Sequence, residues 1–133
     1  MKALEFAKEG SNVIATGRRI DKLQSLAKEI QSKYPKSKVY TLEMDVRARD
    51  AVNKAVASLP KEFSEVDVLV NNAGLVQGMD TIEKVNDHDI DVMFDTNVKG
   101  LLYVTQGITF WFCFVKETGV DQHCYIMAPE ICV

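Results

Sequence analysis

Cysteine is scarce in this sequence, with three residues in 133, and Cys113, Cys124 and Cys132 all fall near the C-terminus. Their spacings match no zinc or redox motif, and an odd count does not suit a disulfide framework. Ordinary free thiols in a reducing compartment are the simplest reading. The stretch from Met1 to Gly10 lacks an apolar signal-peptide core, because Lys2, Glu5, Lys8 and Glu9 interrupt it. The cytoplasm is therefore the expected location. No basic stripe dominates and the net charge is −3, which argues against nucleic-acid or anionic-membrane partners. No residue from Gly100 to Val115 is charged, but this run is short for a bilayer and contains Gln106, so no membrane span is expected. Internal repeats and low-complexity tracts are also lacking.

What is present suits a folded core. Hydrophobic residues make up 47% and charged residues 26%, and the length fits one ordinary domain. Two regimes divide the chain. Residues 1–106 alternate helical and strand patterns with short punctuation, which predicts an α/β fold with a parallel sheet. Residues 107–133 read as a divergent apolar tail, in which Phe110-Trp111-Phe112-Cys113-Phe114 packs four aromatics into five positions.

Met1 to Lys8 reads as a short helix stopped by Gly10. Asn12 to Thr16 reads as a buried strand ended by Gly17. Asp21 to Lys33 places Leu23, Leu26, Ala27 and Ile30 at helical spacing, and Pro35 ends it. Lys38 to Met44 is a strand, and Ala48 to Leu59 is a helix stopped by Pro60. Val66 to Val70 is a continuous apolar strand, as expected where both sheet faces are covered. Asp87 to about Gln106 is the longest helix, with Ile90, Met93, Phe94, Val98, Leu101 and Leu102 as its apolar stripe and an irregular tail after it.

Four places have residues suited to chemistry. Arg18 and Arg19 follow the first strand, where dinucleotide folds meet the adenosine ribose. An arginine there accommodates a 2′-phosphate, and a solvated basic loop is the alternative. Asp45 and Val46 end the second strand, where a carboxylate can accept from an adenine amino group while valine lies against the ring; helix capping by Asp45 is the alternative. Asn71-Asn72-Ala73-Gly74 ends the third strand. Buried amides there need partners, and small residues let a ligand approach, although Asn and Gly also build plain turns. Asn97 interrupts the apolar stripe as either a satisfied core amide or part of a site.

Taken together, these segments resemble the short-chain dehydrogenase/reductase family. Val66-Asp67-Val68-Leu69-Val70-Asn71-Asn72-Ala73-Gly74 is similar to its Asn-Asn-Ala-Gly strand, and Phe6 to Ile14 is similar to its first helix and second strand. Asp45-Val46 and Asn97-Val98-Lys99-Gly100 follow in the family's order. Thr16-Gly17-Arg18-Arg19 with Asn72 to Gly78 is most similar to the branch that oxidises serine and 3-hydroxy acids with NADP.

The resemblance implies an incomplete doubly wound, Rossmann-like sheet and NADP as cofactor. It implies Arg18 and Arg19 at the 2′-phosphate, Asp45 and Val46 at adenine, and Asn72, Ala73 and Gly74 along the ribose. Asn71 would tie the sheet together, and Asn97 would hold a water in a proton relay. The partner implied is a small-molecule substrate, and an oligomer is compatible with it. The family's first strand normally lies between Asn12–Thr16 and Val66–Val70, so the sheet is expected either to gap there or to bring those two strands together.

The departures concern the family's chemistry. Its glycine-rich phosphate loop would precede Met1. Its catalytic serine should follow Asn97, yet no serine occurs after Ser64. Of the family's Tyr-x-x-x-Lys pair, Tyr103 has Gly107 four residues on and Tyr125 has Pro129. Tyr34 and Lys38 match formally but lie too early and enclose Pro35. A truncated, inactive oxidoreductase is the expectation, with a non-catalytic nucleotide-binding or interaction protein as the alternative.

Overall fold

The computed structural model describes residues 2–78, 81–115, 124–127 and 131–132; the aromatic side chains from Phe110, the three cysteine side chains, Lys116 and the Tyr125 side chain lie outside the described part. Helix α1 (Lys2–Lys8) leads into strand β1 (Asn12–Gly17). Gly10 turns the chain with φ 86°, a conformation costly for residues with a Cβ. Its N–H bonds the Ala7 carbonyl at 3.0 Å and the Ser11 N–H bonds the Phe6 carbonyl at 3.1 Å, which is the Schellman pattern for closing a helix.

Helix α2 (Ile20–Lys33), strand β2 (Val39–Glu43) and helix α3 (Arg49–Ala57) follow. Strand β2 lies parallel to β1, with Val13 opposite Val39 and Gly17 opposite Glu43. The two predicted strands therefore pair as expected, the first extended by one residue to Gly17 and the second trimmed at both ends. Because successive strand residues face opposite sides, β1 feeds two cores. Val13 and Ala15 pack with Ala3, Ala7, Leu23, Leu26 and Ile30 of α1 and α2, while Ile14 packs on the other face with Val52, Val56, Val104 and Ile108. Ile14 and Val13 are wholly buried, and each contributes roughly 1.5–3 kcal/mol through removal from water.

Strand β3 (Val68–Val70) and the two-residue β4 (Gly74–Leu75) precede one long helical run: α4 (Asp87–Phe94), a π turn (Asp95–Gly100) and α5 (Leu101–Val115). Asn86 caps α4, its side-chain oxygen accepting from the Asp89 N–H at 2.9 Å. The run continues past Gly107 to Val115, where an irregular tail was expected. The expected inward stripe is also corrected. Phe94 is 59% exposed, and Val98, Leu101 and Leu102 also face outward. The buried positions are instead Thr96, Gly100, Val104 and Ile108. The π turn adds a residue to one helical turn and so rotates the following face by about 100°.

The sheet order is β2-β1-β5-β3, where β5 is Cys124–Met127. Strand β5 runs parallel to both neighbours. Val13 lies opposite Tyr125 on one side, and Val68 lies opposite Tyr125 on the other. Neither expected outcome for the centre of the sheet occurs: it has no gap, and β1 does not meet β3. The tail supplies the strand between them, which gives partners to the N–H and C=O groups along the open side of buried β1. A second, two-stranded sheet joins β4 to β6 (Ile131–Cys132), with Gly74 opposite Ile131.

Candidate functional site

Parallel strands β1, β2 and β3 end at the same sheet edge, and the candidate residues sit on the loops just beyond them. Gly17 closes β1, and its carbonyl accepts from the Met44 N–H at 2.9 Å, which holds the two strand ends side by side. Arg18 and Arg19 therefore emerge beside Asp45. Arg19 precedes α2 with an extended backbone, and both arginines are exposed.

Asp45 is one-third exposed and gripped by a residue the sequence reading passed over. The Arg47 guanidinium donates Nε to Oδ1 at 3.0 Å and Oδ2 at 3.1 Å, and Nη2 to Oδ2 at 2.6 Å. The Arg47 backbone N–H adds a bond to Oδ1 at 3.0 Å. Hydrogen bonding from the Arg47 side chain holds the Asp45 carboxyl below its ordinary range against the opposing effect of burial, with smaller help from the Arg47 N–H and charge and from the charge of Arg18. The signal available in the sequence was an arginine two residues after a strand-ending aspartate. The Asp45 side chain is thus committed to Arg47, and no side-chain bond caps α3 at its N-terminal residue Ala48.

Val46 is buried at 8% exposure and packs where the long helix comes nearest. A Cβ added at Gly100 would meet Val46 Cγ2 at 2.6 Å, so glycine is what permits this approach. Through Gly100, the β2 end touches the helix that bears Asn97.

Asn97 is exposed rather than set in an apolar stripe, and its amide makes two bonds to one residue. Its Oδ1 accepts from the Leu75 N–H and its Nδ2 donates to the Leu75 carbonyl, both at 2.9 Å. It pairs with β4 much as a neighbouring strand would. Asn71 donates to Thr105 Oγ1 at 2.9 Å, tying the end of β3 to α5 rather than strand to strand. Asn72, Ala73 and Gly74 are partly buried, and the Gly74 backbone belongs to the β4–β6 pair. The candidates thus fall into two groups: Arg18, Arg19, Asp45, Val46 and Arg47 at one end, and Asn71–Leu75 with Asn97 at the other.

The structure also separates the formal Tyr34–Lys38 match. Tyr34 packs at the end of α2, whereas the Lys38 ammonium pairs with Glu62 at 2.7 Å. Tyr103 lies under the Arg49 guanidinium, 5.2 Å from its ring centre. Among the described residues there is no group of three His, Cys, Asp or Glu able to hold a metal, and no helix is long and apolar enough to cross a membrane.

A parallel sheet covered on both faces, with polar loops gathered at the carboxyl ends of its strands, defines a Rossmann-like α/β protein. The short chain dehydrogenase family profile matches residues 2–117, and the chain belongs to that family. It is 45% identical over 103 residues to the NADP-dependent 3-hydroxy acid dehydrogenase YdfG of Shigella flexneri, covering 77% of this chain and 40% of that protein. It is 42% identical over 118 residues to the serine 3-dehydrogenase of Agrobacterium fabrum, covering 89% of this chain and 45% of that protein. The crystal structure of serine dehydrogenase from Escherichia coli superposes with a TM-score of 0.76 at 38% identity, over 93% of this chain and 52% of that one. The chain thus spans about half the length of these relatives, or less.

Proposed function

We propose that this chain carries the adenosine half of an NADP(H) site from an oxidoreductase of the short-chain dehydrogenase family. The observation that carries this reading is the cluster at the β1 and β2 ends: two exposed arginines, a carboxylate and a buried valine on adjacent loops. Arg18 and Arg19 supply planar donors suited to a 2′-phosphate, and no acidic residue stands directly after β1 to select an unphosphorylated ribose. Asp45 keeps its charge and can accept from an adenine amino group. Val46 offers the apolar wall, and Asn72 and Ala73 would border the ribose. The bound dinucleotide would supply hydride exchange at its nicotinamide.

The substrate class proposed is a small hydroxy acid or the matching carbonyl compound, by similarity to relatives named for 3-hydroxy acids and serine. We further propose that these 133 residues do not themselves turn substrate over. Asn97 commits one donor and one acceptor to Leu75, which fixes its amide against β4. Neither tyrosine after Gly74 has a lysine four positions on. General acid–base help from such a pair is worth about a hundred- to ten-thousandfold.

Calorimetry with NADP+ and NAD+ tests the binding part. Weak binding that prefers NADP+ and is lost in the Arg18→Ala, Arg19→Ala double variant is expected; equal or better binding of NAD+ would overturn it. An assay at 340 nm with NADP+ and L-serine or 3-hydroxy acids tests the rest, and turnover above a heat-killed control would refute inactivity.

A further inference from the structure

We propose that Arg47 is a positioning residue for base recognition: it locks the Asp45 carboxylate in the one orientation that accepts the adenine amino group. The inference rests on reading this loop pair as an adenosine site. It starts from the count of donors on one carboxylate. A carboxylate offers about four acceptor directions. The Arg47 Nε and backbone N–H take those of Oδ1, at 3.0 Å each. Arg47 Nη2 takes one of Oδ2 at 2.6 Å, with Nε shared onto it at 3.1 Å. Because Nε carries a single hydrogen shared between the two oxygens, the bonds among the described residues leave one direction on Oδ2, and it is fixed in space because the guanidinium fork and the backbone bond together stop the carboxylate from rotating.

The local chain explains why the clamp can form. Asp45 leaves the end of β2 through a turn in which the Ala48 N–H bonds the Asp45 carbonyl at 3.2 Å, which brings residue 47 back over residue 45. Burial adds to the effect. The two side chains are 35% and 32% exposed, so the pair is neither freely solvated nor fully desolvated. An exposed carboxylate without the fork would rotate among several orientations and give up part of any bond to a base in ordering itself. Arg47 has no role in binding phosphate in this scheme. That task stays with Arg18 and Arg19, so the two functions can be separated experimentally.

The probes are adenosine 2′,5′-bisphosphate and inosine 2′,5′-bisphosphate, which share ribose and phosphates and differ at purine C6, an amino donor in one and a carbonyl acceptor in the other. Affinities are measured by calorimetry on the full chain. The wild type should favour the adenosine ligand by about tenfold, since a hydrogen bond to a charged acceptor has that order of effect. Arg47→Met should bring the ratio to within about threefold while leaving affinity for the inosine ligand nearly unchanged, which a merely structural defect would not do. Arg47→Lys should give an intermediate ratio, because it restores charge without the fork, and it carries the test if Arg47→Met fails to fold. An unchanged ratio in a folded Arg47 variant overturns the inference and leaves the site reading standing. A wild type that binds both ligands equally, through Arg18 and Arg19, does the same. A folded wild type that binds neither ligand overturns the site reading and the inference with it.

Discussion

Substituting Gly100 by alanine isolates the contact between the end of β2 and the helix that bears Asn97. The new Cβ would lie 2.6 Å from Val46 Cγ2, 3.1 Å from Val46 Cβ and 3.4 Å from the Asp95 carbonyl oxygen. Carbon atoms rest about 3.5–4.0 Å apart, so roughly 1 Å of separation must be found. Val46 cannot give it cheaply, because it is buried in one core with Met44, Val52 and Val104. Overpacking of this kind costs about 1–3 kcal/mol. Alanine in a helical position returns up to about 1 kcal/mol over glycine, so the net loss should be about 1–2 kcal/mol. Val46→Ala alone removes two methyl groups and should cost about 1.5–2.5 kcal/mol. On that background the clash with Cγ2 is gone, and Gly100→Ala should become neutral or stabilising. The coupling should therefore be about 1–3 kcal/mol. Urea unfolding of the four proteins, followed by circular dichroism, measures it. Additivity within about 0.5 kcal/mol would mean that the helix does not rest on Val46.

Three further outcomes are expected. Asn97→Ala should lose both bonds to Leu75 and about 1–2 kcal/mol of stability, with faster hydrogen exchange at the Leu75 amide; unchanged exchange would contradict the clasp. The lowered Asp45 proton affinity should stabilise the fold above the unfolded carboxyl value of about 3.9 and lose that contribution as pH falls through the lower folded value. Urea midpoints of wild type and Asp45→Asn between pH 6 and pH 2.5 should therefore converge at the acid end, and a constant difference would refute the linkage. Ile126→Pro should remove a backbone donor from the strand between β1 and β3 and abolish a cooperative melt, whereas an unaltered melt would show that the sheet does not depend on β5.

Local pattern carried much of the fold. The helical spacing of Leu23, Leu26 and Ile30 gave α2 its buried face, and all three are buried. The strand predicted over Val66 to Val70 shortens to Val68–Val70, with Val66 buried but outside the ladder. The long helix was legible as a helix but not in its facing, because hydrophobic spacing assumes an unbroken α turn and Asp95–Gly100 is a π turn. Val98, Leu101 and Leu102, within or after that turn, point outward; Phe94, before it, is exposed as well. The place of Arg18, Arg19, Asp45 and Val46 just after strands was legible, and the structure brings them to neighbouring loops. Arg47 was not, because a charged residue on an exposed loop shows its partner only when the turn geometry is known. Asn97 was legible as special, but its partner lies 22 residues away in a two-residue strand that has no periodicity of its own.

The central strand had no local signal at all, and its pairing spans more than a hundred residues, from Asn12 to Cys124. What places it is the requirement of its neighbours. Strand β1 is buried along nearly its whole length, so water cannot satisfy its open side, and each unpaired buried group would cost about 1–3 kcal/mol. Any short extended segment able to run parallel can meet that need, because ladder bonds come from the backbone and not from side-chain identity. The β2–β1 pair and β3 are therefore joined through the backbone of β5, which pairs with both β1 and β3. Among the described residues, the arginine–aspartate–valine cluster rests on the ends of β1 and β2 and on Gly100 of the long helix. Strand β5 fills the centre of the sheet through its backbone, whereas the cluster proposed for adenosine is built from side chains on the loops after β1 and β2.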